Sequence, residues 1–350
     1  MPMYDEIISY ENLLKAYFQT RKCRRSKPNF QRMEMNYENI LLDLQWKLKN
    51  QLYYPKLYTK FVVFEPKKRQ IAAPHCHDRI VHHAIINIIE PLTENFFIHN
   101  SYACQKSKGG FKARSEITTV YRQIYKQTPI FYVLKCDIRS YFASINHQVL
   151  LTLLKKFINC EKTIKLLQKI INSYHETPGT GIPIGNLTSQ LFANLYLHPL
   201  DIFVTQMVDE KNYFRYMDDF LIFSPDKEYL LNLRILMRGF LKYYLKLNYH
   251  PKKNNIFRAD KGVDFVGYLI KPDSVAMRKK TIRKFKKRHK RRLKLLKQLI
   301  NQNQLEDAQI LQKKLLSSKN SLRGFLKGTE YQVTSNGPIK INGIIMPKEL

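Results

Sequence analysis

The chain has 350 residues, 44% of them hydrophobic, which is enough to bury a core and to form two or three subdomains. Its 60 Lys and Arg residues outnumber 28 Asp and Glu residues, and the formal net charge of +32 favours nucleic acid over a membrane surface as the partner. The sequence has no apolar run of about 18 residues, no signal-peptide pattern at its start and only scattered cysteines, which argues against a membrane-spanning or disulfide-framed protein and predicts a cytoplasmic one.

The N-terminal part of the chain is predicted to be mainly helical. Apolar residues recur at helical spacing over 37–52, where the single tryptophan, Trp46, is expected in the core. Residues 57–73 predict a β-hairpin, because the apolar stretches FVVF and IAA flank the basic turn EPKKR. The stretch 78–97 predicts a helix that is broken near Pro91.

The middle of the chain predicts strands that alternate with helices. The apolar FYVLKCDI at 131–138 is typical of a buried strand, and helices are expected from there to about residue 173. A Gly/Pro-rich turn, SYHETPGTGIPIGN, then opens onto the helix LTSQLFANLYLHPLDIFVTQM. The elements that follow are a hairpin at 214–223, a helix at about 226–247 and a strand pair at 263–270.

A strongly cationic segment begins after Pro272. Residues 278–297, RKKTIRKFKKRHKRRLKLLK, place apolar side chains at intervals among Lys and Arg, which predicts an amphipathic helix. Like charges at this density repel one another, so a cationic face that contacts a phosphate backbone is favoured over a merely solvated face.

Two adjacent acids interrupt the apolar and aromatic FRYMDDFLIF at 214–223. Burying Asp218 and Asp219 without a partner would be costly, so they form either a solvated turn or a hairpin tip that faces a divalent metal. A third acid, Asp137, ends the apolar strand FYVLKC and could converge on the same point. Three carboxylates suit two Mg²⁺ ions about 3.5–4 Å apart, with Mn²⁺ as a possible substitute.

An acidic pair alone is weak grounds for a metal site, because most such pairs lie in turns or helix caps. The order of features along this chain is a stronger indication. Asp137, the aromatic pair Tyr141 and Phe142, the Gly/Pro turn and the acidic hairpin follow one another.

With these features in this order, the sequence resembles the reverse transcriptases over nearly its whole length. YMDD at 216–219 matches their signature, and CDIRSYFASINH at 136–147 is similar to their strand with the first catalytic aspartate. LKLNYHPKKNNIF and VDFVGYLI resemble two later palm motifs, whereas SYACQKSKGG and EPKKRQIAAPHCHDRIVHHAI resemble the fingers.

The resemblance implies an α+β fold, the right-hand polymerase fold with fingers, palm and helical thumb. An N-terminal extension and fingers are expected at 1–130. The palm, an antiparallel sheet with helices, is expected at 131–272, with a fingers insertion near 150–182. A basic helical thumb and a C-terminal tail are expected at 273–350.

A finer resemblance is to the enzymes of diversity-generating retroelements. Most reverse transcriptases carry QGxxxSP before the palm helix, whereas IGNLTSQ here has Ile184 for Gln and Gln190 for Pro. The resemblance implies copying of a template-repeat RNA into cDNA with errors concentrated at adenines. It also implies a small basic oligomeric accessory variability protein as partner, in a bacterial or phage-encoded system.

Two alternatives remain open. The closer one is an ordinary bacterial reverse transcriptase from a retron, a group II intron or a phage-defence system, although no maturase or endonuclease extension is evident after the thumb. The more distant one is a non-catalytic RNA-binding protein on the same fold, which would have no need for three converging acids.

The resemblance also implies roles for individual residues. The metal site is assigned to Asp137, Ile138, Asp218 and Asp219, with Ile138 also at the dNTP site. Lys253, or alternatively Lys252, corresponds to a lysine near the pyrophosphate that can act as a general acid. Tyr141 resembles the aromatic gate against a ribose 2′-hydroxyl, and Phe142 is the alternative.

Further assignments concern the nucleotide and the template. Arg69 corresponds to the fingers arginine on the incoming triphosphate, assisted by Lys67 and Lys68. Ile184 and Gly185 face the nucleotide, and Ile184 cannot supply the hydrogen bond that glutamine would make, which is expected to weaken checking of the new base pair. Contacts with the turn, the template or the template–primer duplex are assigned to Asn186, Gln190, Lys286, Lys287, Arg291 and Arg292.

A cluster of zinc-type ligands lies outside these motifs. It consists of His75, Cys76, His77, His82 and His83. The spacing fits no known zinc finger, so packing or RNA contact is favoured over a zinc site.

Overall fold

The structure is a computed structural model that describes residues 2–64, 67–94, 96–327, 329, 340–341 and 344–345. Residues 65–66, within the predicted basic turn, and most of the predicted C-terminal tail lie outside the described residues. The architecture is α+β, as the sequence predicts.

The helices of the described residues are α1 (Met3–Ile8), α2 (Tyr10–Arg21), α3 (Pro28–Glu34), α4 (Tyr37–Lys49), α5 (Cys76–Glu94), α6 (Gly110–Gln127), α7 (Tyr141–Ser144), α8 (His147–Phe157), α9 (Glu161–Asn172), α10 (Leu187–Ile202), α11 (Lys227–Tyr243), α12 (Lys279–Asn301) and α13 (Leu305–Leu326). A π-helical turn, Phe203–Met207, extends α10.

The strands of the described residues are β1 (Thr59–Val63), β2 (Arg69–Ala73), β3 (Tyr132–Ile138), β4 (Tyr213–Tyr216), β5 (Asp219–Ser224), β6 (Tyr249–Arg258), β7 (Val263–Phe265), β8 (Tyr268–Ile270), β9 (Val275–Met277), β10 (Lys340–Ile341) and β11 (Ile344–Ile345). The predicted hairpin at 57–73 is the antiparallel pair β1–β2, and the acidic hairpin is the antiparallel pair β4–β5.

The chain divides into two compact units. The first comprises Met1–Ser107, Leu134–Ile222 and Glu228–Asn255, and the second comprises Lys108–Val133, Phe223–Lys227 and Ile256–Leu350. These units do not follow the predicted divisions after residues 130 and 272, so the assignment of fingers, palm and thumb remains a prediction.

The three predicted acids belong to the first unit, and two of them, Asp137 and Asp219, lie on a four-stranded sheet. The strand order of this sheet is β4-β5-β3-β6, so β3 lies between β5 and β6. Helix α10 is buried along most of its length, with Leu195, Tyr196 and Leu197 fully enclosed. Burial of this long apolar helix gives the neighbouring strands and turns a rigid support.

The second unit contains the cationic helix. The antiparallel hairpins β7–β8 and β8–β9 form a three-stranded sheet. Helices α12 and α13 form a helical hairpin in which Ile282 and Phe285 of α12 pack with Leu322 and Leu326 of α13. The apolar stripe of α12 is thereby buried, and its Lys and Arg residues lie on the other faces.

Two local predictions are wrong. Trp46 is not in the core, because Leu41, Leu44 and Leu48 form the buried face of α4 and leave the indole 58% exposed. Helix α5 is not broken at Pro91 but continues to Glu94, since a proline in the last turns disturbs few helical hydrogen bonds. No helix among the described residues combines the length and the apolar composition that crossing a bilayer requires.

Candidate active site

The hairpin β4–β5 places the acidic pair at its tip. Tyr216 pairs with Asp219 as the last rung, so Met217 and Asp218 form a two-residue turn. Met217 adopts φ +58°, a left-handed conformation that non-glycine residues seldom take and that must be held by its surroundings. Most side chains of the two strands are buried, and Asp218 lies in the turn at the end of this packed hairpin.

Asp137 lies close to this turn, on the strand that neighbours β5 in the sheet. It lies near the end of β3, which neighbours β5, and Cys136 and Ile138 on either side of it are buried. Burial, then the negative charges of Asp219 and Asp137, raises the pKa of the Asp218 carboxyl to about 6. The three carboxylates that the sequence singles out are therefore close enough to interact.

Lys253 reaches the same acids from the other side of β3. It lies on β6, and its Nζ donates to Oδ2 of Asp137 at 2.5 Å. Of the two lysines considered for the pyrophosphate, Lys253 is the one that the structure brings to the carboxylates. Its ammonium group offsets part of the negative charge there and so counteracts the rise in the pKa of Asp218.

This donor set fits a hard divalent cation. Carboxylate oxygens are the ligands that Mg²⁺ prefers, and three of them in one place repel one another unless a cation is present. The raised pKa of Asp218 is in part a sign of that repulsion. Asp137, Asp218 and Asp219 are thus the residues that could hold such ions, with Ile138 next to Asp137 in β3.

Of the two residues considered for the aromatic gate, the structure favours Phe142. Tyr141 is only 2% exposed, and its hydroxyl donates to the carbonyl oxygen of Ala193 at 2.5 Å. A side chain enclosed in this way does not offer its ring to a sugar. Phe142 is partly exposed, so it is the member of the pair that fits the predicted role.

The turn before α10 lies against the hairpin β1–β2. The amide of Ala72 donates to the carbonyl oxygen of Ile184 at 3.0 Å, and the Ile184 side chain is half-buried. Gly185 has φ +129°, and a Cβ there would meet Cγ2 of Ile71 at 3.0 Å. Both the backbone conformation and the close approach of β2 therefore require glycine at this position.

Asn186 is buried, which does not fit a template contact. It is 2% exposed, and its Nδ2 donates to the hydroxyl of Tyr58 at 3.1 Å and lies 3.5 Å from Nε2 of His82. Of the two roles considered for Asn186, the structure supports holding the turn. Gln190 lies one helical turn later on α10 and is exposed, so it can meet a template.

The predicted triphosphate contacts lie on the hairpin β1–β2. Arg69 is the first residue of β2 and pairs with Val63, and its side chain is exposed. Lys67 and Lys68 precede it and are also exposed. The same hairpin contacts the Ile184 turn through Ala72, so a backbone hydrogen bond joins the two segments assigned to the nucleotide.

The histidine cluster divides into two parts. His82 is enclosed and forms a hydrogen bond of 2.9 Å between its Nδ1 and Oγ1 of Thr188. His75, Cys76 and His77 bring their donor atoms within 4.8 Å of one another. Burial and then the charges of His75 and Lys56 lower the pKa of His77 to about 4, so this imidazole is neutral near pH 7.

The cations assigned to the duplex lie on α12 in the second unit. Lys287 and Arg291 are exposed, and Lys286 and Arg292 are partly exposed. They alternate with the buried Ile282, Phe285 and Leu296 along the helix. A continuous cationic surface of this kind can follow a phosphate backbone.

Two residues of the first unit were not singled out from the sequence. Arg215, directly before the YMDD segment, is fully buried and forms an ion pair with Asp201 of α10 at 2.6 Å. The signal was present, because a lone arginine in the aromatic YFRYM and a lone aspartate in the apolar LHPLDIF both require a buried partner.

Known proteins resemble this chain in sequence. The profile of the family described as reverse transcriptase (RNA-dependent DNA polymerase) matches residues 59–270. Protein YkfC of Escherichia coli K12 is 26% identical over 244 residues, covering 58% of this chain and 63% of YkfC. The group II intron-encoded protein LtrA of Lactococcus lactis is 28% identical over 171 residues, covering 46% of this chain and 27% of LtrA.

Among solved structures, telomerase from Candida albicans in complex with a fragment of telomeric RNA aligns with a TM-score of 0.48 at 12% identity. The alignment covers 85% of this chain and 62% of that chain. The chain spans less than two thirds of the length of both YkfC and LtrA.

Proposed function

The chain belongs to the reverse transcriptase (RNA-dependent DNA polymerase) family, and from this membership we propose that it is itself an RNA-directed DNA polymerase. The family match and the α+β architecture confirm the predicted fold class, the right-hand polymerase fold. One observation carries the proposal, namely that Asp137, Asp218 and Asp219 lie close together, where burial and then the charges of Asp219 and Asp137 raise the pKa of Asp218. A protein that only binds RNA has no use for such a costly group of acids.

Reverse transcriptases use divalent metal ions, and we assign Mg²⁺, with Mn²⁺ as a substitute, to these three carboxylates and Ile138. When bound, a pair of such ions activates a primer 3′-hydroxyl and stabilises the leaving pyrophosphate. The chain's own contribution is to fix the carboxylates in advance, on β3 and on the turn between β4 and β5. Ordering them before the substrate arrives lowers the cost of reaching the transition state.

Lys253 supplies positive charge and a proton beside the acids. Its Nζ is held at Oδ2 of Asp137, and an ammonium group in this position can turn towards a pyrophosphate and donate a proton to it. Arg69 supplies a planar guanidinium that matches the oxygens of a triphosphate, with Lys67 beside it. Phe142 supplies the bulk that excludes a ribose 2′-hydroxyl.

The template RNA and the RNA/cDNA duplex are proposed to bind the cationic helix α12. The formal net charge of +32 supports this partner, and Lys286, Lys287, Arg291 and Arg292 present their charges along one helix. Contacts with phosphates give affinity without sequence preference, which suits an enzyme that moves along its template.

Within the family, we propose the diversity-generating type, with errors concentrated at template adenines and a small basic oligomeric accessory variability protein as partner. The proposal is supported by Ile184, which stands at a half-buried position on the turn before α10 and can form no side-chain hydrogen bond. The proposed location is the cytoplasm of a bacterium. The similarity to LtrA favours the second candidate function, an ordinary or intron-type reverse transcriptase.

The two types are separated by sequencing cDNA that the protein makes from one adenine-rich RNA. Wild-type protein should misincorporate mainly opposite adenine, and Ile184→Gln should lower that frequency, since a restored hydrogen bond of about 1.4 kcal/mol is worth tenfold in discrimination. Ile184→Leu, which keeps the apolar character, is the matched control and should retain the errors. Faithful copying of adenine by the wild type, or equal error spectra for all three proteins, would assign the chain to the ordinary reverse transcriptases.

A further inference from the structure

A fully buried ion pair lies directly behind the turn that carries Asp218. Nε and Nη2 of Arg215 donate to the two carboxylate oxygens of Asp201 at 2.7 and 2.6 Å, and both side chains are 0% exposed. The hydroxyl of Tyr213 donates to Oδ1 of the same carboxylate at 2.8 Å. Buried ion pairs of this kind seldom add much stability over an apolar pair, so their presence calls for another reason.

The contact of the remaining guanidinium nitrogen, Nη1, suggests that reason. Nη1 of Arg215 donates to the carbonyl oxygen of Met217 at 3.1 Å and lies 3.3 Å from Oδ1 of Asn194. Met217 is the left-handed residue of the turn, at φ +58°, and Asp218 follows it. A hydrogen bond to the Met217 carbonyl therefore acts on the peptide group that orients Asp218.

Arg215 is itself held from several directions. Its amide donates to the carbonyl of Asn100 at 2.9 Å, and its carbonyl accepts from the amide of Tyr102 at 3.0 Å. Its side-chain partners, Asn194 and Asp201, both belong to the buried helix α10. The guanidinium thus joins the turn to a rigid helix rather than to a loop.

We propose that Arg215, fixed by Asp201, is a positioning residue that holds the Met217–Asp218 turn in the conformation needed to bind the divalent metal. Arg215 touches neither substrate nor metal in this role and acts through the Met217 carbonyl. The proposal rests on the proposed function, because it assigns to Asp218 the binding of a catalytic ion. None of the site residues predicted from the sequence has this role of holding the turn.

The test compares Arg215→Lys with Tyr213→Phe. Lysine keeps the charge but cannot pair with both Asp201 oxygens and reach the Met217 carbonyl at once. Tyr213→Phe removes a hydrogen bond from the same buried Asp201 without touching the turn, so it reports the effect of weakening the cluster alone. Both proteins are first checked for folding by circular dichroism and thermal melting.

The main readout is Mn²⁺ affinity, measured without nucleotide by the electron paramagnetic resonance signal of the free ion. Arg215→Lys should weaken Mn²⁺ binding by about 10-fold or more, as expected for loss of a group that orients a metal ligand. Tyr213→Phe should stay within about 2-fold of wild type, because the turn keeps its hydrogen bond to Arg215. Affinity for an RNA/DNA duplex should be unchanged in both variants.

Wild-type Mn²⁺ affinity in folded Arg215→Lys, or equal weakening by Tyr213→Phe, would overturn the positioning role. Should Arg215→Lys not fold, the double variant Arg215→Met with Asp201→Leu replaces the pair by apolar side chains, which buried sites often tolerate. It should fold and bind Mn²⁺ weakly, and wild-type affinity in it would equally overturn the proposal. Failure of wild-type protein to extend a primer, with the Mn²⁺ differences intact, would count against the polymerase function and not against the role of Arg215.

Discussion

Replacing Asp218 by asparagine should stabilise the metal-free protein. Burial and the charges of Asp219 and Asp137 raise the pKa of the Asp218 carboxyl from its ordinary 3.8 to about 6. The ionised group therefore opposes folding, and a difference of about 2 pH units corresponds to about 3 kcal/mol. An asparagine side chain has nearly the same shape without the charge, so Asp218→Asn should recover most of this free energy of unfolding.

The gain in stability from Asp218→Asn should increase as the pH rises. Because the pKa is raised in the folded state, the unfolded state binds fewer protons between pH 3.8 and 6, and the penalty is fully present above about pH 6. It fades as the pH falls towards 3.8. The advantage of Asp218→Asn should be up to about 3 kcal/mol at pH 8 and about half of that at pH 5.

The assay is the apparent melting temperature of both proteins in EDTA at pH 5 and pH 8. Asp218→Asn should melt a few degrees above wild type at pH 8 and closer to it at pH 5, and Mg²⁺ should stabilise only the wild type. Asp273→Asn, at an exposed carboxylate, is the control and should show neither effect. A variant that melts at or below the wild-type temperature at pH 8 would refute the raised pKa of Asp218 in the folded protein.

Two further predictions concern the duplex and the sugar. Replacing Lys286, Lys287, Arg291 and Arg292 by glutamine should flatten the salt dependence of template–primer affinity, by about 0.9 in the log–log slope for each phosphate that is no longer neutralised; an unchanged slope would show that α12 faces something other than the backbone. Phe142→Ala should admit ribonucleotides in a primer-extension assay, whereas Tyr141→Phe, which removes only the hydrogen bond to the Ala193 carbonyl, should still exclude them. Ribonucleotide incorporation by Tyr141→Phe alone would return the gate to that residue.

The elements around the acids could be predicted because their patterns are local. The apolar run FYVLKC and the aromatic FRYMDDFLIF contain their own strand signals, and the structure places β3, β4 and β5 there. The pairing of β3 with β5, which no local pattern dictates, then brings Asp137 to the hairpin tip. Strand β6 was recognised only as a motif, since PKKNN carries no strand pattern, and its place beside β3 comes from tertiary pairing.

The sequence did not show which side of a helix faces inwards. Helix α7 has four residues, too few for a periodicity to decide whether Tyr141 or Phe142 is enclosed. In α4 the leucines take the buried face and leave Trp46 outside. The pairing of Arg215 with Asp201 joins β4 to α10, and no local pattern shows which buried charges will meet.

The most direct test of the polymerase function is primer extension on an RNA template with dNTPs and Mg²⁺, comparing wild type with Asp137→Asn. Wild-type protein should extend the primer, and the variant should lose at least about 1,000-fold in rate, because removing a metal ligand takes away several kcal/mol of transition-state stabilisation. Its affinity for the template–primer duplex should be unchanged. Extension by Asp137→Asn at the wild-type rate, or no extension by folded wild-type protein with any RNA template and either Mg²⁺ or Mn²⁺, would contradict the account.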